Sequence, residues 1–267
     1  MKKKLIAIDL DGTTLNSQSV ITPKTQAVLQ KATQAGHFVS IATGRPFRMS
    51  AHYYQQLNLN TPMVNFNGAL VHLPFQTWEK ESEVLFHRDI AFEIAAQKKQ
   101  LNLDFIAAEN RETFFIDDLN AFDAQIFATN QATEKNLLTN LPSNPTSVLI
   151  QTKPEYAKEV AQTLQAQYDE FIDVRTWGGP RAILEIVAKG IQKARGVELI
   201  AQHLGVKQAD IIAFGDEHND LEMLEYAGIG VAMANATPAA KAIANDVTQK
   251  TNDEDGLAEY LENHLAI

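Results

Sequence analysis

Asp9 and Asp11 follow a short apolar run, residues 5–8, in the sequence Asp-Leu-Asp-Gly-Thr-Thr-Leu. The run has the length of one buried strand, and Gly12 permits a tight turn after it, so both carboxylates can aim at one point. Two carboxylates that lie this near to each other repel, unless a cation lies between them or one of them is protonated. The alternative is an exposed Asp-Gly turn, but roughly one chain in several hundred of this length should carry Asp-x-Asp-Gly-Thr by chance. The spacing therefore favours a cation-binding pair.

A second acidic group, which includes Asp216 and Asp220, follows another apolar run, residues 211–214. In open parallel sheets, ligands bind outside the carboxyl ends of the strands, so the two acidic groups can converge although they lie far apart in the chain. Oxygen ligands from Asp9, Asp11 and Asp216 suit Mg²⁺, which binds through few carboxylates plus substrate phosphate. The alternative for Asp216 and Asp220 is helix capping. The two groups together predict a magnesium site.

Other cofactor sites do not match the spacing of this chain. The run from Asp216 lacks the glycine and the distant glutamate of a calcium loop, and no histidine pair has zinc spacing. Residues 228–233 lack the third glycine and the acidic residue of a dinucleotide fingerprint. His218 is interpreted as a spectator beside the site. The remaining histidines are assigned to surface or packing roles: His37, His52, His72, His87, His203 and His264.

The amino-acid composition argues against several kinds of partner and several kinds of site. The 23 Lys and Arg against 33 Asp and Glu give a net charge of −10 without a long basic run, so nucleic acid and anionic membrane surfaces are not expected partners. The absence of cysteine excludes disulfides and thiolate metal sites. The apolar stretch after Lys2 to Lys4 is too short for an export signal, and no run of apolar residues is long enough to span a membrane. We therefore predict a cytoplasmic protein.

The elements that must position the acidic groups alternate between strand and helix at both ends of the chain. Strands are predicted at 5–8, 38–42, 63–66 and 211–214, with helices at 23–35, from residue 46 toward 57, and at 192–204. Residues 83–187 instead show a hairpin, further strands and two helices in α+β order. We predict an α/β fold: a Rossmann-like, doubly wound parallel sheet built from residues 1–82 and 188–267, with an inserted α+β domain at 83–187.

Four features together resemble the haloacid dehalogenase superfamily of phosphohydrolases. They are Asp9-x-Asp11-Gly-Thr, a strand that ends in Thr43-Gly-Arg45, a lysine before the last strand and helix units, and Gly-Asp216-x-x-Asn-Asp. The mid-chain insertion, Asn67-Gly-Ala and the late Val-Ala-Met-Ala-Asn-Ala run are similar to the Cof-type subgroup, whose insertion is a large α/β cap. The resemblance covers the whole chain in order.

The resemblance implies a role for each matching residue. Asp9 would be the nucleophile that forms an aspartyl-phosphate, and Asp11 the general acid and base, whose backbone carbonyl also binds magnesium. Thr43 would hold a phosphate oxygen, Lys193 would neutralise phosphate and Asp9, and Asp216 would complete the metal site. Asp220 or Asn219 would orient that site. The predicted metal set is Asp9, Asp11, Asp216 and Asp220, and the predicted substrate-binding set is Thr43, Gly44, Arg45, Asn67, Lys193, Asn219 and Arg181.

Two lysines compete for the catalytic position. The family has glycine after its lysine, whereas Lys193 precedes Ala194 and a nearby Lys189 precedes Gly190. We choose Lys193 because the family places a glycine and a hydrophobic residue just ahead of its lysine, as Gly190 and Ile191 stand here. Lys189 is then a solvated loop charge.

Three further expectations concern the substrate. Arg45 is either a phosphate or substrate contact or a salt bridge that fixes its loop. The cap is expected to set substrate choice, through Arg181 or hairpin residues such as Glu109. The core residues would contact only phosphate and metal.

The sequence thus predicts a magnesium-dependent phosphomonoester hydrolase that acts on small phosphorylated metabolites, such as sugar phosphates or phosphorylated cofactors. It is expected to be a monomer or a homodimer. One alternative is a phosphomutase of similar fold, which would return phosphate to its sugar. The other is a regulatory binding protein without turnover, against which the intact set of catalytic residues argues.

Overall fold

The computed structural model describes residues 2–176 and 181–267. Its strands are β1 Leu5–Ile8, β2 Phe38–Ile41, β3 Met63–Asn65, β4 Leu70–His72, β5 Ser82–Glu83, β6 Leu103–Glu109, β7 Phe114–Ile116, β8 Ser147–Thr152, β9 Ile172–Thr176, β10 Ile183–Ala188, β11 Ile211–Gly215, β12 Ile229–Ala232 and β13 Asp246–Val247. Its α-helices are α1 Pro23–Gln34, α2 Phe47–Gln56, α3 Arg88–Ala96, α4 Ala124–Phe127, α5 Pro154–Tyr168, α6 Lys193–Leu204, α7 Leu221–Tyr226, α8 Pro238–Ile243 and α9 Gly256–Leu265.

The chain forms two compact units. The first comprises Met1–Arg45, Ser50–Ser82 and Gln192–Ile267, and the second Pro46–Met49 and Glu83–Ile191. The division predicted from the sequence differs from these units at residues 46–49 and 188–191. Among the described residues, no helix combines the length and the apolar character needed to cross a membrane.

The first unit is built on a five-stranded parallel sheet in the order β13-β12-β11-β1-β2. Strand β1 lies inside the sheet, between β11 and β2, and its last residue, Ile8, pairs with Phe214 on one side and Ile41 on the other. Because these strands are parallel and in register, the loops that follow them leave the same edge of the sheet. The predicted α/β fold with a parallel central sheet is confirmed.

Burial explains why β1 is apolar at every position. All four of its side chains are fully buried, and Leu5, Ile6 and Ile8 each contribute about 1.5–3 kcal/mol relative to exposure. The first crossover helix, α1, begins where Thr22 accepts a hydrogen bond from the Thr25 amide (3.1 Å) and Pro23 occupies the first turn. Helix α1 packs against α9, and α6 packs against α7. Helix α1 also packs against β2, and α7 packs against β11 and β12, so these helices cover the sheet that carries the acidic loops.

The third strand departs from the sequence prediction, because the chain reverses after it. Strand β3 pairs in antiparallel fashion with β4, which the sequence analysis did not predict. The reversal runs through Phe66, Asn67 and Gly68, whose φ angles are 48°, 54° and 109°. A Cβ on Gly68 would lie 2.3 Å from the Gln192 carbonyl oxygen, so only glycine fits there.

The second unit contains a five-stranded antiparallel sheet in the order β7-β6-β8-β10-β9. Helix α3 packs against β6, and α5 packs against β9 and β10. The antiparallel sheet with its helices agrees with the α+β order predicted for this region. The hydrophobic core of this unit lies between strand residues and α4, and consists of Phe105, Ala107, Phe114, Ile116, Ile126, Phe127, Leu149 and Ile183.

One buried ion pair lies beside this core. The Arg48 guanidinium donates to the buried Glu109 carboxylate and to the Phe127 carbonyl oxygen (3.2 Å). Burial raises the pKa of Glu109, and the charge of Arg48 opposes that rise. Glu109 is therefore part of the packing of the second unit in this structure.

Candidate active site

The loop after β1 brings Asp9 against the loop after β11. The Asp9 amide donates to the Phe214 carbonyl oxygen (3.1 Å), which extends the strand pairing by one residue. Thr14 Oγ1 donates to the Asp9 carbonyl oxygen (2.5 Å), and Thr13 Oγ1 donates to Asp216 Oδ1 (2.9 Å). The Thr14 hydrogen bond stabilises the turn after Asp9, and the Thr13 hydrogen bond joins the loop after β1 to the loop after β11.

Gly12 allows the closest approach of these loops. Its φ is +71°, and a Cβ built on it would lie 2.2 Å from Asp216 Oδ2. We expect Gly12→Ala to remove activity, because the methyl group would displace the Asp216 carboxylate.

Gly205→Ala is the matched control for Gly12→Ala. Gly205 has a similar φ of +66°, but nothing lies within 4 Å of its added Cβ. Both variants should lose about 1–2 kcal/mol of folding stability from the left-handed backbone, while only Gly12→Ala should lose turnover. Steady-state kinetics and thermal melting of both variants check this, and an active Gly12→Ala enzyme would contradict it.

Asp220 organises the second acidic loop from within. Its Oδ2 accepts from the backbone amides of Asp216 (3.0 Å) and Glu217 (3.1 Å). Gly215 makes room for it, since a Cβ there would lie 2.5 Å from the Asp220 side chain. The Asp220 carboxylate therefore stabilises the loop that carries it. The sequence analysis had predicted Asp220 as one of the metal ligands.

Lys193 joins the two acidic loops. Its side chain is fully buried, and its Nζ lies 2.6 Å from Asp9 Oδ1 and 2.7 Å from Asp220 Oδ1. The paired carboxylates keep its pKa raised although burial opposes the charge. The competing Lys189 lies in the second unit, where it is exposed and pairs with Asp169 and Asp173.

One ammonium group stands against three carboxylates in this cluster. Asp9, Asp216 and Asp220 each present an oxygen within 4.8 Å of the others. Burial is the main cause that raises the pKa of Asp9 well above its usual value; Lys193 opposes the rise and the neighbouring carboxylates add to it. Burial, followed by the charge of Asp220, raises the pKa of Asp216 to about 7. The cluster thus carries more negative charge than Lys193 neutralises.

This donor set fits a hard divalent cation. Carboxylate oxygens are ligands that such cations prefer, and a second positive charge would stabilise the ionised forms of Asp9 and Asp216. Those two residues are the candidates to hold it, because both oxygens of Asp220 are engaged by Lys193 and by backbone amides. The Asp11 side chain points instead to Arg45, which donates to it through Nε (2.7 Å) and Nη2.

Thr43 and Asn67 lie beside each other at the ends of β2 and β3. The buried Thr43 accepts the Asn67 amide at its carbonyl oxygen (3.2 Å), and its Oγ1 accepts the amide of Arg45 (3.1 Å). A hydroxyl that accepts in this way retains its proton for donation. Asn219 Nδ2 donates to Asn67 Oδ1 (2.9 Å), which links this loop to the one after β11. A Cβ on Gly44 would lie 3.0 Å from the Asn67 amide group.

Arg181 is not part of this cluster. It belongs to the second unit, where its guanidinium donates to Asp123 Oδ2 (2.6 Å) and Gln125 Oε1 (3.1 Å). Two contacts were missed from the sequence: Thr13 Oγ1 donates to Asp216 Oδ1, and Asn235 Nδ2 donates to the Gly12 carbonyl oxygen (2.7 Å). Thr13 could have been found, because it belongs to the same Asp-Gly-Thr motif as Asp11.

The chain matches known proteins over nearly its whole length. Residues 6–261 match the haloacid dehalogenase-like hydrolase family. The chain is 41% identical over 272 residues to the 5-amino-6-(5-phospho-D-ribitylamino)uracil phosphatase YitU of Bacillus subtilis, covering 100% of this chain and 99% of that protein. A second Bacillus subtilis phosphatase of the same description, YcsE, is 27% identical over 264 residues, with 97% and 94% covered.

Solved structures agree with these matches. A haloacid dehalogenase-like hydrolase from Bacteroides thetaiotaomicron superimposes with a TM-score of 0.85 at 27% identity, over 98% of this chain and 100% of that one. The resemblance to the haloacid dehalogenase superfamily, which rested on the sequence motifs between Asp9 and Asp220, is therefore confirmed. This chain belongs to the haloacid dehalogenase-like hydrolases and is a phosphatase of that superfamily.

Proposed function

We propose that the protein hydrolyses phosphate monoesters of small metabolites with Mg²⁺ as cofactor and Asp9 as nucleophile. The observation that carries the proposal is the buried Lys193, whose ammonium bridges Asp9 and Asp220 while Asp216 lies within reach of both carboxylates. Phosphoryl transfer asks chiefly for positioning and for neutralisation of charge. This cluster supplies Asp9 as a carboxylate nucleophile, the ammonium group of Lys193 as a fixed positive charge, and Asp216, which together with Asp9 would hold the metal.

The chain's own residues account for both steps of the reaction. A carboxylate oxygen of Asp9 forms a bond to phosphorus while the bond from phosphorus to the ester oxygen breaks, and Asp11 gives its proton to the leaving oxygen. Asp11 then takes a proton from water, which displaces Asp9 and releases phosphate. Lys193 holds the Asp9 carboxylate in place, and the Thr43 hydroxyl binds a phosphate oxygen. The bound cation would neutralise charge on the transferring phosphate.

For the substrate, we propose a phosphorylated ribityl compound that carries a pyrimidine ring. The support comes from the two Bacillus subtilis phosphatases, which share a description that names 5-amino-6-(5-phospho-D-ribitylamino)uracil. Sugar phosphates and phosphorylated cofactors form the wider class expected from the sequence. We also propose that the enzyme works in the cytoplasm as a monomer or a homodimer, without nucleic acid or membrane as partner, and that residues of the second unit act as a cap.

Phosphate release across a panel of esters tests the proposal. The panel should contain 5-amino-6-(5-phospho-D-ribitylamino)uracil, ribose 5-phosphate, glucose 6-phosphate and a phosphorylated cofactor. We expect the highest kcat/KM on the ribityl compound. A preference for another ester would overturn the substrate and keep the reaction. Transfer of phosphate between sugars without release would indicate a phosphomutase, and binding without either outcome would indicate a regulatory protein.

The raised pKa of Asp216 predicts a pH-dependent affinity for Mg²⁺. A protonated carboxyl group is a poor ligand, and with a pKa of about 7 Asp216 is mostly protonated at pH 6 and mostly ionised at pH 8. We therefore expect Mg²⁺ to bind about tenfold more weakly at pH 6 than at pH 8. Calorimetric titration of the protein without substrate measures this directly. Asp216→Asn should bind weakly at both pH values, and equal affinity of the unaltered protein at pH 6 and 8 would contradict the prediction.

A further inference from the structure

Arg45 and Asp11 form a two-pronged ion pair at the edge of the first unit's sheet. Arg45 Nε donates to Asp11 Oδ2 (2.7 Å), and Nη2 donates to Oδ1. Two parallel contacts of this kind fix both the distance and the plane of a carboxylate, which a single ammonium group does not do. The pair therefore determines the direction of the Asp11 side chain.

Arg45 is the fixed member of the pair. Its amide donates to Thr43 Oγ1 (3.1 Å), and its carbonyl oxygen accepts from Asn65 Nδ2 (2.7 Å). Its guanidinium carbon lies 5.5 Å from the centre of the buried Tyr53 ring, within the range of a cation–π contact. Only 20% of the side chain is exposed. Arg45 is thus held through its backbone and through its head group.

Asp11 is the member that needs to be held. Its side chain is 57% exposed, and Gly12 follows it with a left-handed φ. After the larger effect of burial, the charge of Asp11 is one of the causes that raise the pKa of Asp9, so the two carboxylates repel each other. Arg45 supplies the opposite charge that offsets this repulsion.

We propose that Arg45 is a positioning residue that acts on the reaction through Asp11, and that it is not a phosphate ligand. The proposal rests on the proposed function, in which Asp11 gives a proton to the leaving oxygen and then accepts one from water. The atoms of Arg45 take no part in either transfer. It holds the Asp11 carboxylate in one orientation through both steps.

Esters with different leaving groups separate these two roles. An alkyl phosphate releases a poor leaving group that needs a proton, whereas p-nitrophenyl phosphate releases a phenolate that needs almost none. Because kcat/KM reports steps up to the first loss of the leaving group, it is insensitive to the later hydrolysis of the aspartyl-phosphate. A residue that acts through the general acid should therefore affect kcat/KM for the alkyl ester selectively, whereas a phosphate ligand should affect both esters.

We expect Arg45→Met to lower kcat/KM for ribose 5-phosphate at least about tenfold more than for p-nitrophenyl phosphate, since general acids contribute about 10² to 10⁴. Arg45→Lys keeps the charge without the two prongs and should show a smaller selective loss. It also serves if Arg45→Met does not fold. Arg195→Met, which changes the exposed arginine of α6, is the matched control and should leave both values unchanged.

A double-mutant comparison adds a second readout. In an Asp11→Asn background, Arg45→Met should cause no further loss on the alkyl ester, because the group it positions is gone. Equal losses on both esters would show that Arg45 binds phosphate, and no loss on either would make it a bystander; both results overturn the proposal. An unaltered enzyme that hydrolyses neither ester would instead contradict the proposed function.

Discussion

Asp9→Asn protein should bind its substrate and metal cofactor yet lose turnover by at least about 10⁴-fold, the scale seen when a catalytic nucleophile is removed. An amide has nearly the same shape as a carboxylate, so the hydrogen bond from Lys193 can persist while nucleophilicity is lost. Phosphate release on the best substrate, followed with a coupled assay, measures the effect. Asp253→Asn, on the exposed side chain that accepts the Ser17 amide, is a matched control that should keep full activity. Normal turnover of Asp9→Asn would exclude Asp9 as the nucleophile.

Asp9→Asn should also change the thermal stability of the protein, by an amount that depends on pH in a defined direction. The pKa of Asp9 is raised in the folded protein, so the folded state holds this proton more tightly than the unfolded state. The stability contribution of Asp9 is therefore greatest below its unfolded pKa and is lost as pH rises toward its folded pKa. Asparagine does not titrate, so the melting temperature of Asp9→Asn relative to the unaltered protein should rise from pH 5 to pH 8 in buffer with a chelator. A relative melting temperature that falls over this range would contradict the assigned environment.

Lys193→Met should remove most of the activity, while Lys189→Met should leave it unchanged. Loss of a charge partner of the phosphate in a buried site should cost about 3–4 kcal/mol of transition-state stabilisation, on the scale of one oxyanion donor. Lys189 lies on the surface of the second unit with two aspartates, and such pairs contribute little. The measurement is kcat/KM of both variants on one substrate, and a reversed ranking would show that Lys189 is the catalytic lysine.

Lys193→Met should also destabilise the fold. It leaves the buried carboxylates of Asp9 and Asp220 without their shared cation, at a cost of roughly 3–5 kcal/mol. Added Mg²⁺ should restore part of this loss, because it supplies charge to Asp9 and Asp216. Denaturant unfolding with and without Mg²⁺ measures both effects. An equally stable Lys193→Met protein in the absence of metal would show that the burial of Lys193 contributes no stability.

The parallel sheet could be predicted from the sequence because the apolar runs and the turns that follow them indicated the same elements. Apolar runs such as residues 5–8 and 211–214 ended in Asp-rich turns, and parallel strands place such ends at one edge. The convergence of Asp9 and Asp216 could therefore be expected before their separation was known. The roles assigned to them stay predictions, since position alone does not demonstrate catalysis.

Contacts between side chains that lie far apart in the chain could not be predicted from the sequence. Nothing in the sequence around Glu109 indicates that its carboxylate is buried against Arg48. Likewise, the sequence left open whether Arg45 binds substrate or fixes its loop, and only the structure shows its two-pronged contact with Asp11. Such pairs depend on which loops meet in three dimensions, and periodicity carries no information about that.

The reversal after β3 was missed for a different reason. Residues 66–68 adopt left-handed φ angles, and Phe66 is a residue type for which local preference disfavours that conformation. Packing of the buried Phe66 side chain and pairing of β3 with β4 overrule the local preference. Propensity therefore favoured a single strand where the fold makes a hairpin.

The position of β1 between β2 and β11 also has a consequence for folding during synthesis. Its four buried residues pair with β2, made soon afterwards, and with β11, made about 200 residues later. At ribosomal rates of about 5–20 residues per second, one edge of this apolar strand lacks its partner for roughly 10–40 seconds. The residues of the second unit from Glu83 to Ile191 are synthesised during that interval. An unpaired edge of an apolar strand is a site where chains aggregate, so the late synthesis of β11 makes the nascent chain most exposed to aggregation before the last third arrives.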